Sequence, residues 1–136
     1  MPAAPITAQT FMNFLAYFGT GLGVLVAAAV LVSLVTPHRE FTLIRAGNAS
    51  AATAYAGTLV GLALPLHAAI THSVSLLDAL IWGAVASVVQ LLAYVIARAA
   101  LPRISQEITD NVIAGGIFAA GVSISVGLIN AAAMTP

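Results

Sequence analysis

The sequence predicts an all-α polytopic membrane protein, with four transmembrane helices built as two parallel two-helix repeats. Three observations predict it. Hydrophobic residues make up 61% of the chain and charged residues 6%, with a mean hydropathy of +1.08, whereas roughly a quarter of the residues in a soluble domain are charged. Four apolar runs are each long enough to cross a bilayer, and short polar segments separate them. Finally, Asn48-Ala-Ser-Ala-Ala-Thr-Ala-Tyr-Ala-Gly57 recurs at an offset of 63 positions as Asn111-Val-Ile-Ala-Gly-Gly-Ile-Phe-Ala-Ala120, each copy directly behind an Arg-bearing segment. At that offset Asn48 falls on Asn111, Ala51 on Ala114 and Tyr55 on Phe118.

The charge balance excludes several classes. Lys and Arg together number 4, as do Asp and Glu, so the formal net charge is +0, and no basic surface for nucleic acid is expected. No run of cations forms a polybasic lipid anchor. With Cys at 0, disulfides, thiolate metal sites and thiol catalysis are out of reach. No cofactor is called for. The 136 residues make one membrane domain, with repeat A at about 10–71 and repeat B at about 74–133. Polar linkers fall at about 36–47 and 100–109.

Taken in order, the first run covers Phe11 to Val35 and follows a segment without Lys or Arg. A signal peptide has a basic start and an apolar core of roughly 7–15 residues, so this longer run is expected to remain as a membrane helix. Thr36-Pro37 ends it. The second span runs from about Asn48 to Thr71, and the turn His72-Ser-Val-Ser75 leads into Ser75-x-x-Asp78, the spacing of a capping box. The third span therefore covers Ser75 to about Ala99. Thr109 or Asp110 is positioned to cap a fourth that reaches about Ala133. No stretch alternates apolar and polar residues as a membrane barrel requires.

All four Arg flank the two linkers: Arg39 and Arg45 in the first, Arg98 and Arg103 about the second. By the positive-inside rule both linkers face the cytoplasm and both termini lie outside. Each repeat contains two spans, so the copies enter the membrane in the same orientation, as a parallel repeat.

Small residues recur at four-residue spacing in every span, the device by which helices approach closely in lipid. The rows are Gly19/Gly23/Ala27, Thr53/Gly57/Gly61, Ala79/Gly83/Ser87 and Gly115/Ala119/Ser123/Gly127/Ala131. Four helices bury only part of four such faces, so at least one row is available to another subunit. A homo-oligomer or a larger membrane-protein complex is the expected partner, beside the lipid bilayer itself.

A charged linker ending Leu43-Ile-Arg-Ala-Gly-Asn-x-x-Ala-Ala52, a weaker copy Glu107-Ile-x-x-Asn-x-x-Ala114 and the four-span size together resemble the YjfL-like family of small bacterial inner-membrane proteins. That family is catalogued as a domain of unknown function, number 350, typically in two tandem copies. The resemblance runs from about Thr10 to Ala133 and implies an inner-membrane location with no assigned activity. The second copy departs from the pattern, with Gly115-Gly116 in place of an Ala-rich helix and no Gly before Asn111.

The remaining polar residues admit structural and functional readings. Asn48 and Asn111 either satisfy backbone groups near helix starts or face each other across the repeat axis and couple the halves. Pro65 lacks the N–H that the Gly61 carbonyl would accept, so a kink is expected there. Gln90 is the amide near the middle of the third span, packed against another helix or lining a path. His67 and His72 have no third metal ligand nearby. No charged residue lies deep in a span and no catalytic motif is present, so an enzyme is not expected. Two functions remain: a structural or accessory membrane subunit assembling through small-residue faces, or an oligomeric channel lined by Asn48, Thr53, Thr58, Gln90, Asn111, Ser123, Ser125 and Asn130.

Overall fold

The computed structural model describes residues 5–134. Among them lie α1 (Ala8–Val35), α2 (Glu40–Arg45), α3 (Ala49–His72), α4 (Leu76–Ala100), α5 (Ile104–Thr109) and α6 (Ile113–Ala133). The four long helices are apolar and long enough to cross a membrane. Met1 and Pro136, which the charge pattern puts outside, fall beyond the described residues.

Local chemistry sets the helix ends. Thr7 and Thr10 cap α1 reciprocally, each hydroxyl accepting from the other's backbone N–H at 3.2 and 2.8 Å. Ser75 accepts from the Asp78 N–H at 3.1 Å, and Asp78 reaches back to Val74 rather than to Ser75, also at 3.1 Å. Pro65 lies inside α3 without ending it. In a membrane helix, neighbouring chains re-satisfy the carbonyl that a proline frees.

Each polar linker contains a six-residue helix, α2 or α5. One sequence expectation needs correction. Neither Thr109 nor Asp110 caps the fourth span: Thr109 ends α5, Asp110 is its C-cap, and α6 begins at Ile113 behind Val112. The reason is a pair of matching helix stops. The Asn48 N–H donates to the Leu43 carbonyl at 2.9 Å, over Gly47 with φ at +87°, and the Val112 N–H donates to the Glu107 carbonyl at 2.8 Å, over Asn111 with φ at +58°. Both are 6→1 turns with a left-handed residue just past the helix, where Gly is favoured and Asn is the common substitute. Asn111 therefore takes the backbone conformation of Gly47, not of Asn48.

The packing is inverted relative to a soluble core. Buried positions are mostly Ala, Gly and Ser, while Leu, Ile, Val and Phe cover the outside, as expected where lipid solvates large side chains and small residues let backbones meet. The most extensive contact runs between α3 and α6. Along it a Cβ on Gly57 would strike Ala120, one on Gly61 would strike Ser123, one on Gly116 would strike Ser50, and one on Gly127 would strike Gly61. Residue numbers rise together along this seam, so the two helices run in the same direction. At its far end the carbonyl that Pro65 frees, that of Gly61, is the atom for which Gly127 leaves room. By contrast the fully buried residues of α1, Ala28, Ala29 and Val32, all lie in its second half.

Candidate functional site

Asn48 and Asn111 do not bond to each other. Asn48 caps α3, accepting from the Ala51 N–H at 2.8 Å, while its Nδ2 donates to the carbonyls of Ile108 and Thr109 at 2.8 and 3.2 Å. Asn111 accepts from the Ser50 N–H at 3.1 Å, and the Ser50 hydroxyl donates to the Val112 carbonyl at 2.7 Å. Each half thus offers polar side chains to the other half's backbone where α3 and α6 begin. Such bonds serve capping and inter-half contact together.

The rest of the junction comes from the short helices. Glu40 opens α2 and is buried. Its Oε2 accepts from the Ser33 hydroxyl at 2.8 Å, and its Oε1 accepts from Thr36 Oγ1 at 3.1 Å and lies 3.4 Å from His38 Nε2. His38 Nδ1 is 3.2 Å from Ser105 Oγ, which is also 3.2 Å from the Tyr94 hydroxyl. The chain Ser33–Glu40–His38–Ser105–Tyr94 therefore crosses from α1 and α2 to α4 and α5. A buried carboxylate without such partners would be strongly unfavourable. Here three side chains share its solvation.

The series hydroxyl, imidazole, carboxylate (Ser105, His38, Glu40) has the order of an activated nucleophile. Its setting differs. The side chains of His38 and Glu40 are each 5% exposed, and the cavity they line with Thr36, Thr58, Tyr94 and Ser123 measures about 30 Å³, room for a water molecule rather than a substrate. The arrangement ties two linkers together.

The other singled-out residues take separate places. Gly57, Gly61, Ser123 and Gly127 lie in the α3–α6 seam. Gly115 faces Glu107 on α5, with the Glu107 Cβ 3.0 Å from where its own Cβ would be, and Ala119 lines the small cavity. The face that α6 turns to α3 thus runs through Gly116, Ala120, Ser123 and Gly127 rather than Gly115 and Ala119, because a strict four-residue row drifts around a helix of about 3.6 residues per turn. Gln90 is buried in the bundle, its Nε2 donating to the Ser123 carbonyl at 2.7 Å while its Oε1 has no partner. Asn130 donates to the Ala86 carbonyl at 3.1 Å. Thr53, Thr58 and Ser125 bond to carbonyls of their own helices, those of Ala49, Ala54 and Gly121. Gly19 and Gly23 are exposed with open space where a Cβ would be. Around them Thr20, Val24 and Ala27 of α1 meet Leu76, Leu77 and Leu80 of α4 in an open apolar cleft of about 530 Å³. His67 is exposed, and His72 lies 3.0 Å from the Ala68 carbonyl. No group of three metal-ligating side chains occurs among the described residues.

Sequence reasoning missed the linked set of buried Thr36, His38 and Glu40 with half-buried Ser33, Tyr94 and Ser105. The available signal was local: Ser33, Thr36 and Glu40 stand three to four residues apart, the spacing of one helical face.

Comparisons with known proteins agree with this architecture. The chain is 36% identical over 127 residues to the UPF0719 inner membrane protein YjfL of Escherichia coli (strain K12), covering 93% of this chain and 96% of that protein. It is 30% identical over 119 residues to the UPF0719 transmembrane protein YshE of Bacillus subtilis (strain 168), covering 86% and 89%. No solved structure matches. A family model described as Domain of Unknown Function (DUF350) matches residues 6–134, and with nearly the whole length of the chain covered by that model and by both relatives, the chain belongs to this family.

Proposed function

We propose that the protein is a non-enzymatic structural or accessory subunit of the bacterial inner membrane that assembles with a second copy of itself through the small-residue face of α1. The carrying observation is that Gly19 and Gly23 are exposed with nothing against them. In this same chain, rows of that kind meet another backbone wherever one is offered, as Gly57 and Gly127 do. A second α1 carries the same row, so the pairing is self-complementary, with Leu76, Leu77 and Leu80 of α4 walling the cleft. The relatives' names, an inner membrane protein and a transmembrane protein, support the location. Both linkers face the cytoplasm in this reading, and the halves form a parallel repeat with α3 and α6 as its shared centre.

The alternative, an oligomeric channel or facilitator, needs polar groups that share a path. Here Thr53, Thr58 and Ser125 satisfy carbonyls of their own helices, and Asn48, Gln90 and Asn130 are engaged inside the bundle. The test is the mass of the purified protein in detergent by light scattering, for the native chain and for Gly23→Leu. The variant should insert and fold yet run at half the protein mass or less. An unchanged assembly in Gly23→Leu and in Gly19→Leu would remove the proposal, and solute flux through liposomes that polar substitutions at Gln90 alter would favour the channel.

A further inference from the structure

The sequence has no cluster of cations, yet folding joins the segments that carry two of its four Arg. His38 Nδ1 and Ser105 Oγ, 3.2 Å apart, tie the start of α2 to the start of α5. Arg39 follows His38 directly and Arg103 precedes Ser105 by two residues, so two exposed arginines, 64 positions apart in the sequence, adjoin the residues of one bridge. Neither has a hydrogen-bond or ion-pair partner among the described residues. Nearby acidic side chains do not pair with them: Glu40 is buried among Ser33, Thr36 and His38, Asp110 accepts from Gln106 at 2.9 Å, and Glu107 is half-buried beside Gly115. Phe41, 48% exposed and edge-on to Tyr55, stands beside Arg39 as an aromatic at this end of the bundle.

We infer that Arg39 and Arg103, held together by the His38–Ser105 bridge, form a binding site for the phosphate of an anionic phospholipid headgroup. Planar guanidiniums suit phosphate oxygens, and an Arg pair at the end of a helical bundle lies at headgroup depth, where the anionic surface raises the local concentration of that group. The segment's other two cations, Arg45 and Arg98, are also exposed and serve as a charge-matched comparison.

The experiment measures thermal unfolding of the full chain in nanodiscs of phosphatidylcholine with increasing phosphatidylglycerol, with inorganic phosphate added in a parallel series. Native protein should gain stability with phosphatidylglycerol and not with inorganic phosphate. In Arg39→Gln/Arg103→Gln the anionic-lipid concentration giving half the gain should rise roughly tenfold or more, whereas Arg45→Gln/Arg98→Gln should move it little. Ser105→Ala, which keeps every charge but loses the bridge, should lose part of the response. Equal loss in the two double variants would show a diffuse charge effect and overturn the site, and so would a full response in Ser105→Ala. An equal gain with inorganic phosphate would overturn the assignment to lipid.

Discussion

Asn111 shows how a single residue can be legible in kind and misplaced in role. Its recurrence behind an Arg-bearing segment is visible in the sequence, but its φ of +58° belongs to a helix stop, the conformation that Gly47 takes in the first half. An Ala there adds left-handed strain on the order of 1–2 kcal/mol to the lost bond from Ser50, while a Gly loses the bond only. Asn111→Ala should therefore unfold more easily than Asn111→Gly by about 1 kcal/mol in a denaturant titration of the purified protein. The Ile108 carbonyl accepts from Asn48 Nδ2 at 2.8 Å and from the Asn111 backbone N–H at 3.1 Å, so the two residues belong to one network although their amides do not touch. Combining Asn48→Ala with Asn111→Gly should then cost less than the sum of the single losses, by about 0.5 kcal/mol or more. Strictly additive losses would show that the two residues act independently.

At the scale of elements, the α3–α6 seam decides which glycines matter. Gly57 and Gly121 both lie in membrane helices, but a Cβ on Gly57 collides with Ala120, whereas one on Gly121 meets nothing within 4 Å. Gly57→Leu should cost about 1–3 kcal/mol or more by overpacking, and Gly121→Leu should be near neutral, both without preventing membrane insertion. Unfolding of the two purified variants checks this, and equal stability would mean that the seam is looser than described. Glycine spacing is plain in the sequence, but a four-residue row drifts about 40° per step around the helix, so Gly127 shares its face with Gly116 rather than with Gly115.

For the whole molecule, the two linkers and their Arg form one end of the bundle, with α2 and α5 joined through His38 and Ser105. Reporter fusions at Arg45 and at Pro102 should both report a cytoplasmic location, because all four Arg flank these segments. An external signal at either would reverse the orientation. Connecting the two linkers also places the chain's buried carboxylate, Glu40, at the contact between halves rather than at its edge.

Hydropathy, cap residues and Arg placement are local properties, so the sequence alone determined the all-helical class, the approximate spans and the family to which the chain belongs. Each depends on residues a few positions apart. Tertiary structure decided the rest: that Gly57 and Gly127 meet backbones while Gly19 and Gly23 meet none, and that buried Glu40 and His38 connect to half-buried Ser105. These facts depend on which helix faces turn toward each other. In a chain whose every span carries small residues and whose every exterior is apolar, periodicity marks no inward face, and only the packed bundle distinguishes a seam from a free surface.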